Sequence, residues 1–331
     1  MFPYEMKCLF HSAKINIMNQ TDNTFHYMRR CLQLAAYGRG FTAPNPMVGA
    51  VIVHNDRIIG EGFHAKYGGP HAEVQAIASV KDKALLKNST LYVNLEPCAH
   101  YGKTPPCANL ICEKQIPRVV VGHEDPFPEV MGRGIKKLRE AGIEVICGIL
   151  EEECKELNKR YLTYTLQHRP YILLKWAQSS DGFIDRYREE NDGKAPVRFS
   201  NAFTQMMVHK LRAEESAIMV GTRTLRLDNP ALNVRYWKGN NPERITVDSK
   251  QSLQEQIRAL YDKKIQSLMV EGGAKLIQSF LNENLWDEIQ VEVASFPLTN
   301  GIAAPIPEGV LINVQKCENS ALFHYKNRIN S

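Results

Sequence analysis

Two successive α/β domains are what this sequence predicts, and three observations predict them. The chain has 331 residues, more than one core ordinarily organises, since chains split into domains beyond roughly 250–300 residues. Apolar runs of strand length alternate with amphipathic stretches of helical period through both halves, the pattern of layered α/β architecture. A helix from Glu151 to Gln167 stops at His168-Arg169-Pro170, where the proline ends it and the chain restarts as a strand. The expected boundaries are an N-terminal extension over 1–21, a first domain over 22–165 and a second over 170–331.

The elements follow in order. Thr24 to Tyr37 reads as an amphipathic helix with Asp22 or Thr24 as N-cap. VGAVIVH, the turn NDR and IIGEGF form a hairpin, and HAEVQAIASV is a helix with Pro70 suited to its first position. LYVNLE is a strand, PPCANLICEK a helix, RVVVG a strand, GIKKLREAG a helix and IEVICGI a closing strand, with parallel pairing expected. Beyond the boundary come strand YILLKWAQ, helix Ala202 to Ala213, strands AIMVG and RITVD, helix Leu253 to Tyr261, strand IQSLMVE and helix Ala274 to Leu281.

Composition narrows the function classes. Hydrophobic content of 44% with 23% charged residues describes an ordinary globular protein, and the longest apolar runs, such as Val48 to Val53, fall far short of a membrane span. A net charge of +5 without a Lys/Arg run gives no sign of a nucleic-acid-binding tail. Eight cysteines are scattered, and the first residues lack the basic start and cleavage site of a signal peptide. Both features point to reduced thiols in the cytoplasm.

One stretch carries chemistry. PHAEV is followed, after a strand, by NLEPCAHYGKTPPC. Catalytic zinc (Zn2+) takes three protein ligands and leaves a position for water, and His71, Cys98 and Cys107 supply that count. Zinc lowers the pKa of its water towards about 7, so hydroxide becomes available to attack an amidine carbon. A general acid/base must then move protons from water to the leaving amine, and Glu73, two residues after His71, is placed to do so. Cys98 and Cys107 each follow a proline beside an expected helix start, whose dipole favours the ligating thiolate. The plainer readings are core packing, or a structural zinc completed by Cys112 or His100.

Taken jointly, these motifs resemble the zinc-dependent cytidine deaminase superfamily. The usual two residues between its cysteines are eight here. With PNPMVGAVIV upstream, that longer form resembles the riboflavin-biosynthesis deaminase, the first half of a bifunctional deaminase-reductase. The resemblance covers about residues 22 to 165 and implies a three-layer cytidine-deaminase-like fold, zinc on His71, Cys98 and Cys107, and proton transfer by Glu73. His100, Lys103 and Thr104 offer donors suited to a substrate phosphate, and Asn45 a contact to ribose or base. Lys103→Ala is expected to raise KM for the phosphorylated substrate in steady-state kinetics; an unchanged KM would remove the phosphate role.

In the second half, no G-x-G-x-x-G opens the domain. SSDG, GTRTLRLDNPALNVR and VEGGAKL place small or charged residues after apolar strands, where open α/β sheets bind ligands. In order, they resemble the riboflavin-type reductase, with a dihydrofolate-reductase-like fold and NADPH as cofactor, over roughly residues 170 to 295. The resemblance implies Gln178, Thr224, Asp228 and Ser249 along the cofactor, with Gly273, Ala274, Lys275 and Leu276 at its phosphates. It places Lys175, Arg212, Leu232, Arg235 and Glu271 at the substrate, the two arginines as phosphate partners. PVRFSN stands where the family has a Trp-containing stretch, putting Pro196 at the substrate and Arg198 at the cofactor. After VDSK the helix QSLQEQIRAL follows at once, so the cofactor-side sheet is shortened, and the match fades after Pro297.

The expected protein is a cytoplasmic, homo-oligomeric enzyme of riboflavin synthesis. It acts on a small phosphoribosyl-aminopyrimidine, with no nucleic-acid or membrane partner. Zinc-hydroxide deamination of 2,5-diamino-6-ribosylamino-4(3H)-pyrimidinone 5′-phosphate precedes NADPH reduction of the ribosyl chain to ribityl. Three alternatives stay open: a monofunctional deaminase with a degenerate reductase domain, a tRNA deaminase, and a non-catalytic zinc scaffold.

Overall fold

A computed structural model describes residues 23–99, 105–127, 130–190 and 193–328. The chain divides into two units, Met1–Leu162 and Thr163–Ser331. The expected extension over 1–21 lies outside the described residues, as do His100, Lys103 and Thr104. Among the described residues no helix is long and apolar enough to cross a membrane.

The first unit is a five-stranded sheet between two helical layers. Helix α1 spans residues 23–36. It is followed by β1 (Gly49–His54), β2 (Arg57–Phe63), α2 (Ala72–Ser79), β3 (Thr90–Leu95), α3 (Cys107–Glu113), β4 (Arg118–His123), α4 (Arg133–Glu140), β5 (Glu144–Cys147) and α5 (Glu151–Leu157). The order is β2-β1-β3-β4-β5. Strand periodicity explains why both faces are covered. Ala50 and Ile52 of β1 pack with Ala76, Ile111 and Leu138 of α2, α3 and α4. Val51 and Val53 point the other way, towards Met28 and Cys31 of α1 and Cys154 of α5. A side chain at Gly49 would meet the Cys31 carbonyl at 2.1 Å, so glycine is what lets α1 approach β1.

Three local expectations are corrected here. Parallel pairing holds for β3, β4 and β5 and the expected β1–β2 hairpin is present, but β1 is antiparallel to β3 as well. The turn Asn55-Asp56 has positive φ at both residues and folds β2 straight back on β1; α2 then carries the chain across to β3. Pro70 is not the first helical residue either, because His71 is the N-cap of α2 and Ala72 the first residue inside. The long helix expected from Glu151 is likewise split at Asn158, whose buried amide bonds both N and O of Met47 and so leaves the helical run. Helix α6 (Lys159–Gln167) continues beyond it.

The second unit has the seven-stranded order β13-β14-β11-β6-β10-β8-β9. It contains β6 (Tyr171–Gln178), β7 (Phe183–Asp185), α7 (Ala202–Glu214), β8 (Ala217–Val220), α8 (Thr222–Asp228), β9 (Glu243–Thr246), α9 (Leu253–Asp262), β10 (Ser267–Glu271) and α10 (Ala274–Asn282). β11 (Glu288–Ala294), β12 (Ile302–Ala303), β13 (Val310–Cys317) and β14 (Ser320–Lys326) complete it. Strands β9, β8, β10, β6 and β11 are parallel, and the last hairpin runs antiparallel. Ile172, Leu174 and Trp176 of β6 share a core with Ile257 of α9 and Ile277 and Phe280 of α10. After β9, a short turn leads into α9, which opens on a reciprocal capping box between Ser252 and Glu255. Strand β9 lies at the sheet edge. The chain beyond Pro297 is no poor fit to the fold, because β13 and β14 finish the sheet beside β11.

Candidate active sites

In the first unit, helix ends bring the metal-ligand candidates together. His71, as N-cap of α2, makes no capping bond with its side chain, so its ring is free to turn elsewhere. Its Nδ1 lies 3.6 Å from Cys98 Sγ and 3.3 Å from Cys107 Sγ, and the three ligand atoms fall within 4.8 Å of one another. Zinc bonds of about 2.0 Å to nitrogen and 2.3 Å to sulfur give tetrahedral edges of roughly 3.5 Å, so the donor set fits zinc in both chemistry and spacing. Cys112, offered by the structural-zinc alternative, is not in this cluster. Cys107 is the first residue of α3, and its backbone N–H donates to Cys98 Sγ at 3.3 Å. The Cys107 side chain first, then the His71 ring and that backbone bond, draw the Cys98 thiol well below its ordinary range against the opposing effect of burial.

Glu73 sits in the first turn of α2 and is 3% exposed. Burial, reinforced by the Cys98 thiolate, pushes its carboxyl up to about 7. A carboxyl in that state can both take and give a proton near neutrality.

Sequence reasoning did not single out His64. It is 2% exposed, and its ring lies edge-on to His71 with centroids 5.5 Å apart. A neutral ring with its proton on Nδ1 donates to the Pro70 carbonyl at 3.0 Å and accepts from Asn45 Nδ2 at 3.1 Å, which leaves the Asn45 oxygen available. Asn94 and Asn158 hold the same loop through Met47 and Gly49. Nothing local in sequence marks these three residues, because their partners are distant along the chain.

The second unit gathers part of its expected set. Glu271 at the end of β10 accepts from Arg212 Nε at 2.9 Å and Nη2 at 2.7 Å, with Lys175 Nζ 3.9 Å away. Burial would raise the Glu271 carboxyl, but the two cations prevail and hold it below the ordinary range. Arg212 also donates to the Asn233 carbonyl and Arg235 to the Asn233 side chain, beside buried Leu232. The expected arginine pair is therefore unequal: Arg212 is committed to Glu271, and Arg235 is the more open fork. Gly273 caps α10, and a Cβ there would come within 3.1 Å of Thr224 Oγ1, so Thr224 borders the turn that leads into Ala274, Lys275 and Leu276. Gln178 accepts from Trp176 Nε1, and Asp228 lies 2.8 Å from Arg188, a partner that sequence reasoning missed. Pro196, Arg198 and Ser249 are exposed and make no bond to the other candidates among the described residues.

Comparisons with known proteins follow the same division. The family described as cytidine and deoxycytidylate deaminase zinc-binding region matches residues 21–123, and the RibD C-terminal domain matches residues 170–329. The chain is 36% identical over 344 aligned positions to riboflavin biosynthesis protein RibD of Aquifex aeolicus, covering 89% of this chain and 95% of that protein. Against the protein of the same name from Actinobacillus pleuropneumoniae, identity is 44% over 70% of this chain and 60% of the relative. A solved diaminohydroxyphosphoribosylaminopyrimidine deaminase/5-amino-6-(5-phosphoribosylamino)uracil reductase from Thermotoga maritima is 34% identical. It superposes with a TM-score of 0.85 over 93% of this chain and 99% of its own. RibD of Acinetobacter baumannii gives 30% identity and a TM-score of 0.83 over 93% of this chain and 99% of its own. With both halves and their order matched, the chain belongs to the RibD family of riboflavin biosynthesis proteins, in which a deaminase and a reductase are joined.

Proposed function

We propose that the first unit deaminates 2,5-diamino-6-ribosylamino-4(3H)-pyrimidinone 5′-phosphate and that the second reduces the product's ribosyl chain with NADPH, in the cytoplasm. The observation that carries the reading is the convergence of His71, Cys98 and Cys107 beside a buried Glu73. Those three side chains would hold zinc, which when bound supplies an acidified water as nucleophile. Glu73 takes a proton from the attacking water and returns it to the departing amine, so the ring carbon loses nitrogen and gains oxygen. Asn45, oriented by His64, offers its amide oxygen to a donor on the base or ribose. His100, Lys103 and Thr104 are assigned to the phosphate on their chemistry alone.

In the second unit NADPH supplies the hydride. Gly273, Ala274 and Lys275, at the head of α10, would receive its phosphates on their backbone N–H groups, with Leu276, whose N–H donates to the Gly273 carbonyl, beside them. Gln178, Arg198, Thr224, Asp228 and Ser249 are assigned along the rest of the cofactor. Lys175, held against Glu271, faces the ribosyl chain, with Pro196, Leu232 and Arg235 around the substrate. Arg212, 2.7 Å from Glu271, and Lys175, 3.9 Å from it, share that one carboxylate. NADPH is expected to exceed NADH in kcat/KM; equal values would overturn the cofactor preference. The exposed apolar residues Val310, Leu311, Ile312 and Val314 of edge strand β13 support a homo-oligomer.

The test is a mass-spectrometric assay on the diaminopyrimidine phosphate, with and without NADPH. Deaminated and reduced product only with NADPH supports both halves. Deaminated product alone in both tubes leaves the reductase reading without support, and an unchanged substrate removes the whole proposal.

A further inference from the structure

Glu96 is a charged residue that the chemistry above does not use, and it is 4% exposed. It directly follows β3, two residues before Cys98. Its Oε2 accepts from the backbone N–H groups of Asp125 at 3.2 Å and Gly132 at 3.0 Å. Its Oε1 accepts from Gly134 at 2.9 Å and Ile135 at 3.1 Å. The N-cap of helix α4 is Gly132, which has no side chain to cap it, so donors at the head of that helix are satisfied by the carboxylate just beyond β3.

The contact continues along the backbone to the metal ligand. A side chain at Gly134 would meet the Pro97 carbonyl at 2.0 Å, so the head of α4 lies directly against the residue that joins Glu96 to Cys98. On its other side, Cys98 is held by the head of α3, where Ala108 N–H donates to its carbonyl at 3.1 Å. Cys98 is thus suspended between two helix starts, and Glu96 locks the one that has no ligand of its own. Pro97 has no N–H to offer and a restricted φ, which leaves little slack between the lock and the thiol.

We propose that Glu96 is a positioning residue of the metal site: clamped on the head of α4, it sets where Cys98 presents its sulfur to His71 and Cys107. This rests on the reading of those three residues as zinc ligands. Binding is reciprocal, so if the clamp favours the metal, the metal must tighten the clamp.

The experiment uses the full chain, stripped of metal and titrated with Co2+, whose visible bands report thiolate ligation and geometry. Three proteins are compared: wild type, Glu96→Gln, which turns two of the four accepting contacts into donor–donor conflicts, and Gly134→Ala, which keeps the carboxylate but pushes on Pro97. Both variants are expected to bind Co2+ about 10–100-fold more weakly, the usual cost of removing an outer support of a metal ligand, with altered band shape. In the wild type, Co2+ is expected to slow hydrogen exchange at Gly132, Gly134 and Ile135 by about tenfold or more. Wild-type affinity and bands in both variants, even with a lowered melting temperature, overturn the inference and reduce Glu96 to a structural cap. If neither variant folds, the exchange measurement decides alone, and amides indifferent to Co2+ overturn it. Failure of the wild type to bind Co2+ at all removes the zinc reading itself, and this inference with it.

Discussion

Glu73→Gln is expected to lower deaminase kcat by about 10²–10⁴-fold, the range that a positioned general acid/base contributes. The substitution keeps the volume of a buried side chain in the first turn of α2, so folding and the neighbouring ligands are preserved. An amide cannot carry a proton from water to amine, and Glu73 is not one of the clustered ligand residues. Zinc content should therefore match the wild type, and reduction of a substrate supplied already deaminated should be unchanged. Activity and metal content measured on one preparation separate a catalyst from a zinc scaffold. A fully active variant would sink the mechanism, and loss of zinc along with activity would make Glu73 a support of the site.

The largest expected stability effect lies in the second unit. Glu271→Ala leaves the buried Arg212 and Lys175 without their shared carboxylate, and breaking a buried pair from one side costs about 3–5 kcal/mol. Denaturant unfolding, followed on the transition of the second unit, should show that loss, with reductase activity failing alongside. The pH dependence has a definite sign. Because Arg212 and Lys175 hold the folded-state carboxyl of Glu271 below its ordinary value, its contribution is complete above the unfolded pKa. It disappears as pH falls through the lowered folded value. The gap in stability between wild type and Glu271→Gln should accordingly stay level between about pH 6 and 8 and close only in strong acid. A gap that widened on acidification would contradict the ionised assignment.

How much was legible in the sequence depends on how far apart the cooperating residues are. Periods of 2 and 3.6 reveal strands and helices locally, and the β1–β2 hairpin and the helices α9 and α10 were readable for that reason. The antiparallel pairing of β1 with β3 was not, because β1 lies between two strands that α2 joins across it. The break at Asn158 depends on Met47, 111 residues away, and no local propensity encodes it. The same holds for Arg188 against Asp228, where a segment outside any recognised motif meets the GTRTLRLDNPALNVR stretch.

The sequence by itself determined the two-domain α/β order, the zinc-type donor set with its neighbouring acid, and the likeness to a deaminase joined to a reductase. These are properties of residue type and spacing within short stretches. Only the tertiary structure decided which groups meet around that chemistry: His64 against Asn45, Glu96 just beyond β3 accepting from the head of α4, and Arg212 paired with Glu271. The physical reason is that a buried polar group must find its partners wherever the fold brings them.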